Sequence, residues 1–195
     1  MGYSAEDDDQ LVARSREGET EAFAELISRY EDYMYNTIGH MVGFGQDAED
    51  LCQEVFMRAY KGLGSFRGNA RFKTWLYSIM LNCVRSHWRR KGRGPEVMSL
   101  DGGGDEDQSW PDPPSREDGP ERKVTREETI SSVRAGIAAL SENLREILVL
   151  RDLQGLSYKE LAETLDLPLG TVKSRLARAR DALKDELSPV LKGEL

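Results

Sequence analysis

A chain of 195 residues with 35 acidic and 27 basic side chains has room for one ordinary domain or two small ones, and its formal charge of −8 argues against a general polyanion binder. Its two cysteines, Cys52 and Cys83, form no CxxC pair, and with His40 and His87 they show no zinc-site spacing, so reduced thiols, no metal and no cofactor are expected. No apolar run is long enough to cross a membrane and the opening MGYSAEDDDQ is acidic where a secretion signal is basic, so a cytoplasmic protein without membrane insertion is expected.

The charge is unevenly placed. Met1 to Glu54 carries 14 acidic and 3 basic residues, Val55 to Pro95 carries 10 basic and none acidic, and Glu96 to Arg126 carries 9 acidic and 4 basic. Glu127 to Leu195 is nearly balanced, with 12 acidic and 10 basic. Complete exclusion of carboxylates from the second segment of so acidic a chain points to a polyanion partner for that segment.

Along the chain, Gln10-Leu11-Val12 opens a helix, and Phe23, Leu26, Ile27, Tyr30 and Met34 continue helical spacing. Gly43 to Gln46 breaks the pattern before Asp47, whose side chain can cap the next helix, with Asp50 also suited to its positive end. That helix is expected to bury Leu51, Val55, Phe56, Ala59 and Tyr60 and to leave Asp47, Asp50, Gln53, Glu54 and Arg58 outward or at the margin. Leu63 to Arg71 reads as a loop, with Gly64, Gly68 and Asn69 giving turn chemistry around Phe66 and Arg67. Next, Phe72, Trp75, Leu76, Ile79, Met80, Cys83, Val84 and Trp88 mark a buried stripe. The opposite face, Lys73, Thr74, Tyr77, Asn82, Arg85, Ser86 and Arg89, reads as a polar, cationic surface.

From Gly92 to about Arg126 the periodicity lapses into a segment rich in proline, glycine and acid, expected to be a flexible linker. Its DGGGDED piece lacks the ligand alternation of a calcium loop. Ile130, Val133, Ile137 and Leu140 resume a helix, Ser141 is placed to cap Leu144 to Leu153, and Gly155 leads into a helical pair. Ser157 with Glu160 forms a capping box, Leu161, Ala162 and Leu165 share a face, and Asp166 to Gly170 breaks the helix. A second helix is expected from Thr171, burying Val172, Leu176, Ala179 and Leu183. It turns Lys173, Ser174, Ala177 and Arg178 outward, where a recognition helix meets base edges. The expected fold is all-α: a helical domain over 1–93, a flexible acidic linker over 94–126 and a helix-turn-helix domain over 127–195.

Asp47 to Asn82, DAEDLCQEVFMRAYKGLGSFRGNARFKTWLYSIMLN, resembles the bacterial sigma-70 family, specifically its extracytoplasmic-function group, and LSYKELAETLDLPLGTVKSRLARARDAL resembles that group's C-terminal domain. The two resemblances stand in the right order and together cover nearly all of Gln10 to Leu187. They imply a factor that binds core RNA polymerase and promoter DNA, is regulated by an anti-sigma factor, and has no catalytic residue. By motif, Asp47, Asp50, Gln53 and Glu54 would dock on the polymerase, Phe66, Arg67, Asn69 and Asn82 would serve the −10 element, and Thr171, Lys173, Ser174 and Arg178 the −35 element. Phe66 stays open between a base contact and a loop anchor, and Arg175 between DNA and an internal ion pair. Phe72, Trp75 and Trp88 read as core. Ala177 is small for a contact position, so a base preference does not transfer. The rival reading is a free-standing helix-turn-helix regulator that binds duplex DNA without polymerase. An enzyme such as a nuclease ranks third, because no paired carboxylates accompany a metal-ligand pattern.

Overall fold

The computed structural model describes residues 7–68, 70–92 and 120–191, and the side chains of all of these except 120–128 and 189–191. Every regular element among them is helical, in two units. The N-terminal unit holds α1 (Asp8–Arg16), α2 (Thr20–Val42), α3 (Gln46–Gly62), a 3-10 turn at Leu63–Ser65 and α4 (Phe72–Lys91). The C-terminal unit holds α5 (Pro120–Ala139), α6 (Glu142–Leu148), which runs on into a π-helical turn at Val149–Leu153, then α7 (Tyr158–Leu165) and α8 (Leu169–Leu191). Most of the expected linker, DGGGDED included, lies outside the described residues, and α5 already begins at Pro120, where a proline costs no helical hydrogen bond.

Local chemistry accounts for the helix ends. Asp7 and Gln10 exchange capping-box bonds of 2.9 and 3.2 Å at the start of α1, and Ser157 and Glu160 do the same at α7, at 3.2 and 2.8 Å. Asp47 behaves otherwise than expected. Helix α3 starts one residue before it with Gly45 as N-cap, and the Asp47 carboxylate accepts instead from Lys91 Nζ at 2.6 Å. Ser141 makes no side-chain cap bond either, its carbonyl taking the amides of Leu144 and Arg145 at 2.9 Å. The break between α7 and α8 rests on Asp166, held left-handed at φ 54°, a conformation that Asp tolerates better than most residues. Helix α8 then opens at Leu169, two residues earlier than expected, and takes Gly170 into its first turn.

The predicted stripes are where the core sits. Leu11, Leu26, Met34, Ile38, Val55, Leu76 and Met80 pack the N-terminal unit, and Ile137, Ile147, Leu161, Val172 and Leu176 the other, each almost wholly excluded from water. Each such aliphatic side chain contributes about 1.5–3 kcal/mol. Helix α2 is drawn onto the chain that follows it by Gly39, where a Cβ would lie 2.4 Å from the Phe44 ring. The acidic start of α1 is tied to α2, with Asp8 accepting from the Tyr30 hydroxyl and, at 3.2 Å, from Arg29 Nη1. Three expectations from periodicity are corrected. Tyr60 is 49% exposed, while Thr74 and Tyr77, expected on an open face of α4, are buried.

Candidate polymerase and nucleic-acid interfaces

On α3, Asp47, Asp50 and Gln53 are exposed and Glu54 is half-buried, one helical face as the sequence spacing requires. Asp50 accepts from Gln46 Nε2 at 2.9 Å, and Glu54 pairs with Arg58 at 2.5 Å. The Lys91 hydrogen bond holds the Asp47 carboxyl below the usual carboxylate range, so this member of the face is already charge-compensated. Sequence reasoning missed what lies alongside: a groove between α2 and α3 lined by Phe23, Ile27, Cys52, Phe56, Met57 and Tyr60, with Met57 58% exposed. An outward methionine at helical spacing from carboxylates was the available signal. Burial pushes the Cys52 thiol up to about 11, so it stays protonated and unreactive.

The loop after α3 is anchored from within. Phe66 is 6% exposed, with its ring 4.9 Å from that of Trp75 and 6.2 Å from that of Phe72, and Ser65 Oγ donates to the Gly62 carbonyl at 2.7 Å. The structure therefore places Phe66 as a loop anchor. Arg67, Gly68 and Arg71 stay exposed around it, while Asn69 lies outside the described residues. Asn82 is exposed on α4, well along the helix from this loop. Lys73 sits over the rings of Tyr33 and Tyr77, 5.9 and 5.8 Å from their centroids, which leaves its ammonium aligned with aromatic faces.

Part of the expected α4 face meets the C-terminal unit, while Arg89 stays exposed and donates to Ser86 Oγ at 3.0 Å. Arg85 donates through Nε and Nη2 to both carboxylate oxygens of Glu146, each at 2.7 Å, and this pairing raises the arginine's pKa. The Tyr77 hydroxyl donates to Gln154 Oε1 at 3.2 Å. Arg145, whose pKa burial lowers, reaches the Met41 carbonyl at 2.5 Å and lies over the Trp88 ring at 5.7 Å. At the start of α4, Arg71 stands 3.9 Å from Glu160. These partners are some sixty to a hundred residues away in sequence, beyond the reach of helical periodicity.

On α8 the expectation and the geometry coincide. Lys173, Ser174, Ala177 and Arg178 are exposed near its N-terminal end, over the buried stripe of Val172, Leu176 and Ala179. Thr171 and Arg175 are half-buried at the margin, and Ser174 Oγ donates to the Thr171 carbonyl at 3.1 Å. Helix α8 is held at its angle by Arg180, which binds Asp152 with both Nε (2.9 Å) and Nη2 (2.6 Å). Among the described residues no group of histidine, cysteine and carboxylate side chains could hold a metal ion, and no helix is long and apolar enough to cross a membrane.

Comparison with known proteins agrees with this layout. Residues 26–94 match Sigma-70 region 2, and residues 130–183 match Sigma-70, region 4. The RNA polymerase sigma-H factor of Pseudomonas aeruginosa is 39% identical over 191 residues, spanning 96% of this chain and 97% of its own length. The ECF RNA polymerase sigma-E factor of Escherichia coli K12 is 36% identical over 185 residues, spanning 95% of this chain and 96% of its own. CnrH, solved in complex with the cytosolic domain of CnrY, superposes with a TM-score of 0.69 at 25% identity over 93% of this chain and 98% of its own. The sigma factor RpoE of Bartonella quintana, solved with the anti-sigma factor NepR, gives 0.63 at 27% identity over 85% and 96%. With both regions matched in order and with relatives similar from end to end, the chain belongs to the sigma-70 family, in its extracytoplasmic-function group.

Proposed function

We propose that the chain works in the cytoplasm as an RNA polymerase sigma factor of the extracytoplasmic-function type, binding core polymerase and directing it to recognise, melt and start transcription at promoters. It contributes no catalytic residue, since the polymerase supplies the chemistry. The observation that carries this reading is the match of both sigma regions, in order, on a chain that spans 97% of its Pseudomonas relative. The residue assignments follow the surfaces described above. Asp47, Asp50, Gln53 and Glu54 dock on the polymerase, an acidic face suited to a basic partner, with the α2–α3 groove adding apolar area beside it. Arg67, Asn69 and Asn82 serve the −10 element, with Phe66 shaping their loop. Thr171, Lys173, Ser174 and Arg178 serve the −35 element, arginine being fitted to a guanine edge. An anti-sigma partner is supported by the structural neighbour RpoE, solved with such a factor.

The test is transcription by sigma-free core polymerase on a randomised promoter library, with transcript starts sequenced. Promoter-specific starts that depend on the protein are expected. Tight sequence-specific binding of duplex by the protein alone, with no effect on starts, would favour a free-standing helix-turn-helix regulator. In the same assay Asp50→Arg with Glu54→Lys should weaken polymerase pull-down while folding survives, because both side chains lie outside the Leu51 and Val55 stripe. Unchanged pull-down removes α3 as the docking face.

A further inference from the structure

We propose that Tyr33 and Lys73 form a stacking platform for one unpaired promoter base, with the base lying on the Tyr33 ring and Lys73 holding the phosphate beside it. The proposal rests on the sigma reading above and adds to it a residue of α2, a helix with no DNA contact assigned so far. Tyr33 is 55% exposed, one position before buried Met34 and outside the apolar stripe, so the packing of the N-terminal unit does not call for its ring. A single exposed aromatic needs no function by itself. What sets this one apart is the cation over it. Lys73 Nζ lies 5.9 Å from its centroid and 5.8 Å from that of buried Tyr77, so a side chain long enough to extend into water is held against two rings instead.

Surfaces that hold an unpaired strand combine cations that follow the backbone with rings on which bases stack. Lys73 belongs to the carboxylate-free segment, and Arg67 and Arg71 just before it are both exposed, the Arg71 side chain by 86%. This row of cations runs from the loop after α3 up to the Tyr33 ring. On the α2 side the charge has the opposite sign, Glu31 and Asp32 being exposed next to Tyr33. Carboxylates repel a phosphate but not a neutral base, so the backbone is confined to the α4 cations and only the base reaches across to α2. The ring is carried on packed helix, since Thr37 Oγ1 donates to the Tyr33 carbonyl at 2.5 Å and Met34 beside it is fully buried. Tyr33 also takes no part in lining the α2–α3 groove next to the polymerase-docking face, and meets α4 through Lys73 instead.

The experiment uses the full chain with core polymerase, on a promoter recovered from the randomised library and mismatched over the −10 region so that its strands are already apart. 5-Iododeoxyuridine, which couples under light to an aromatic ring stacked on it, is moved one position at a time along the non-template strand, and the attached residue is read by mass spectrometry. Attachment to Tyr33 is expected at one position or two adjacent ones. Tyr33→Ala should abolish it and weaken binding about 5- to 150-fold, the loss of one base–ring stack, whereas Tyr33→Phe should keep both. Because every base has a face to stack, the weakening should be the same whichever base stands there. Lys73→Gln, which keeps most of the stem and removes the charge, should make the plot of log affinity against log salt shallower by about 0.7, one phosphate fewer on a single strand. No attachment to Tyr33 at any position, or wild-type affinity in Tyr33→Ala, overturns the platform. So does loss of polymerase pull-down in Tyr33→Ala, which makes the ring a polymerase contact, and an unchanged slope in Lys73→Gln overturns the phosphate contact. Absent promoter-specific starts with wild-type protein overturn the sigma reading and this proposal together, whereas failure of the platform alone leaves wild-type starts in place.

Discussion

Helices α4 and α8 are built alike and end up differently placed. Each buries one apolar stripe and carries cations on its other side, but the outward residues of α8 stand in solvent, while those of α4 are divided between exposed Asn82, buried Tyr77 and paired Arg85. A stripe says which side of a helix leaves water for its own unit. It does not say whether a second unit will cover the polar side, because a hydroxyl, an amide or a guanidinium serves equally well at a surface and at a polar junction. The carboxylate-free segment therefore marks where negative charge is wanted, and the structure shows the chain supplying some of it through Glu146 and Glu160.

The largest expected effect tests the α4 side of this contrast. Phe66→Ala should destabilise the N-terminal unit by about 3–5 kcal/mol, the usual cost of deleting a buried aromatic ring, measured by denaturant titration. A surface base contact would instead lose strand opening with stability intact, and that outcome would return Phe66 to the DNA-contacting set.

Acid should separate the two units next. Burial, aided by the Arg134 charge, pushes the His40 imidazole of α2 down to about 4 from an ordinary 6.5. Its neutral form is the one folding favours, so its contribution is whole above pH 6.5 and is lost as pH falls toward 4, by about 3 kcal/mol in all. Glu160 in α7 also has a depressed pKa, from its bonds with Ser157, but its contribution is whole above 4.5 and drains only at lower pH. Unfolding free energies measured between pH 7 and pH 5 should thus decline in the wild-type protein and stay flatter in a His40→Gln variant. Parallel curves would mean His40 is protonated at no cost.

On the open α8 face, Arg178→Ala should reduce discrimination at individual −35 positions by roughly 1–3 kcal/mol, read by sequencing transcripts from randomised promoters. Asn82→Ala should leave −35 preference intact and lower permanganate reactivity in the melted −10 region. An exchange of these two phenotypes would dissolve the assignment of one helix to each element. The smallest effect belongs to the C-terminal unit's cap: Ser157→Ala should cost about 1 kcal/mol in thermal or denaturant unfolding. A loss near zero would mean water replaces the hydroxyl at the Glu160 amide.

The legible parts of the molecule were those fixed by neighbours in sequence. Ser157 with Glu160, the stripe of Val172, Leu176 and Ala179, and the outward set from Lys173 to Arg178 all follow from spacing of three or four residues. Asp47 was misplaced as a cap because Lys91, 44 residues on, competes for its carboxylate. Tyr60 looked buried because its position continues the apolar row, yet the groove between α2 and α3 leaves it half in water. Tyr77 erred the other way, its partner Gln154 lying 77 residues ahead. Local patterns set the helices and their faces; the Ser141 cap and the start of α8 were misjudged locally, and the errors at Asp47, Tyr60 and Tyr77 fall where distant segments meet.

The π-helical turn at Val149–Leu153 makes the placing of those distant segments a matter of phase. Its wide loop is closed by the amide of Gln154 on the Val149 carbonyl at 3.1 Å, one residue beyond the ordinary helical bond. Within and just after it, Arg151 turns to the Leu156 carbonyl and lies over the Tyr158 ring, Asp152 turns to Arg180 and Gln154 to Tyr77, three side chains serving the start of α7, α8 and α4 respectively. Deleting one residue there would relax the turn to ordinary α-helix and rotate everything downstream by about 100°. The outward residues of α8 would be unaltered, yet their face would be turned the wrong way. The extra residue thus acts as the index mark that times the outward face of α8 against the rest of the molecule.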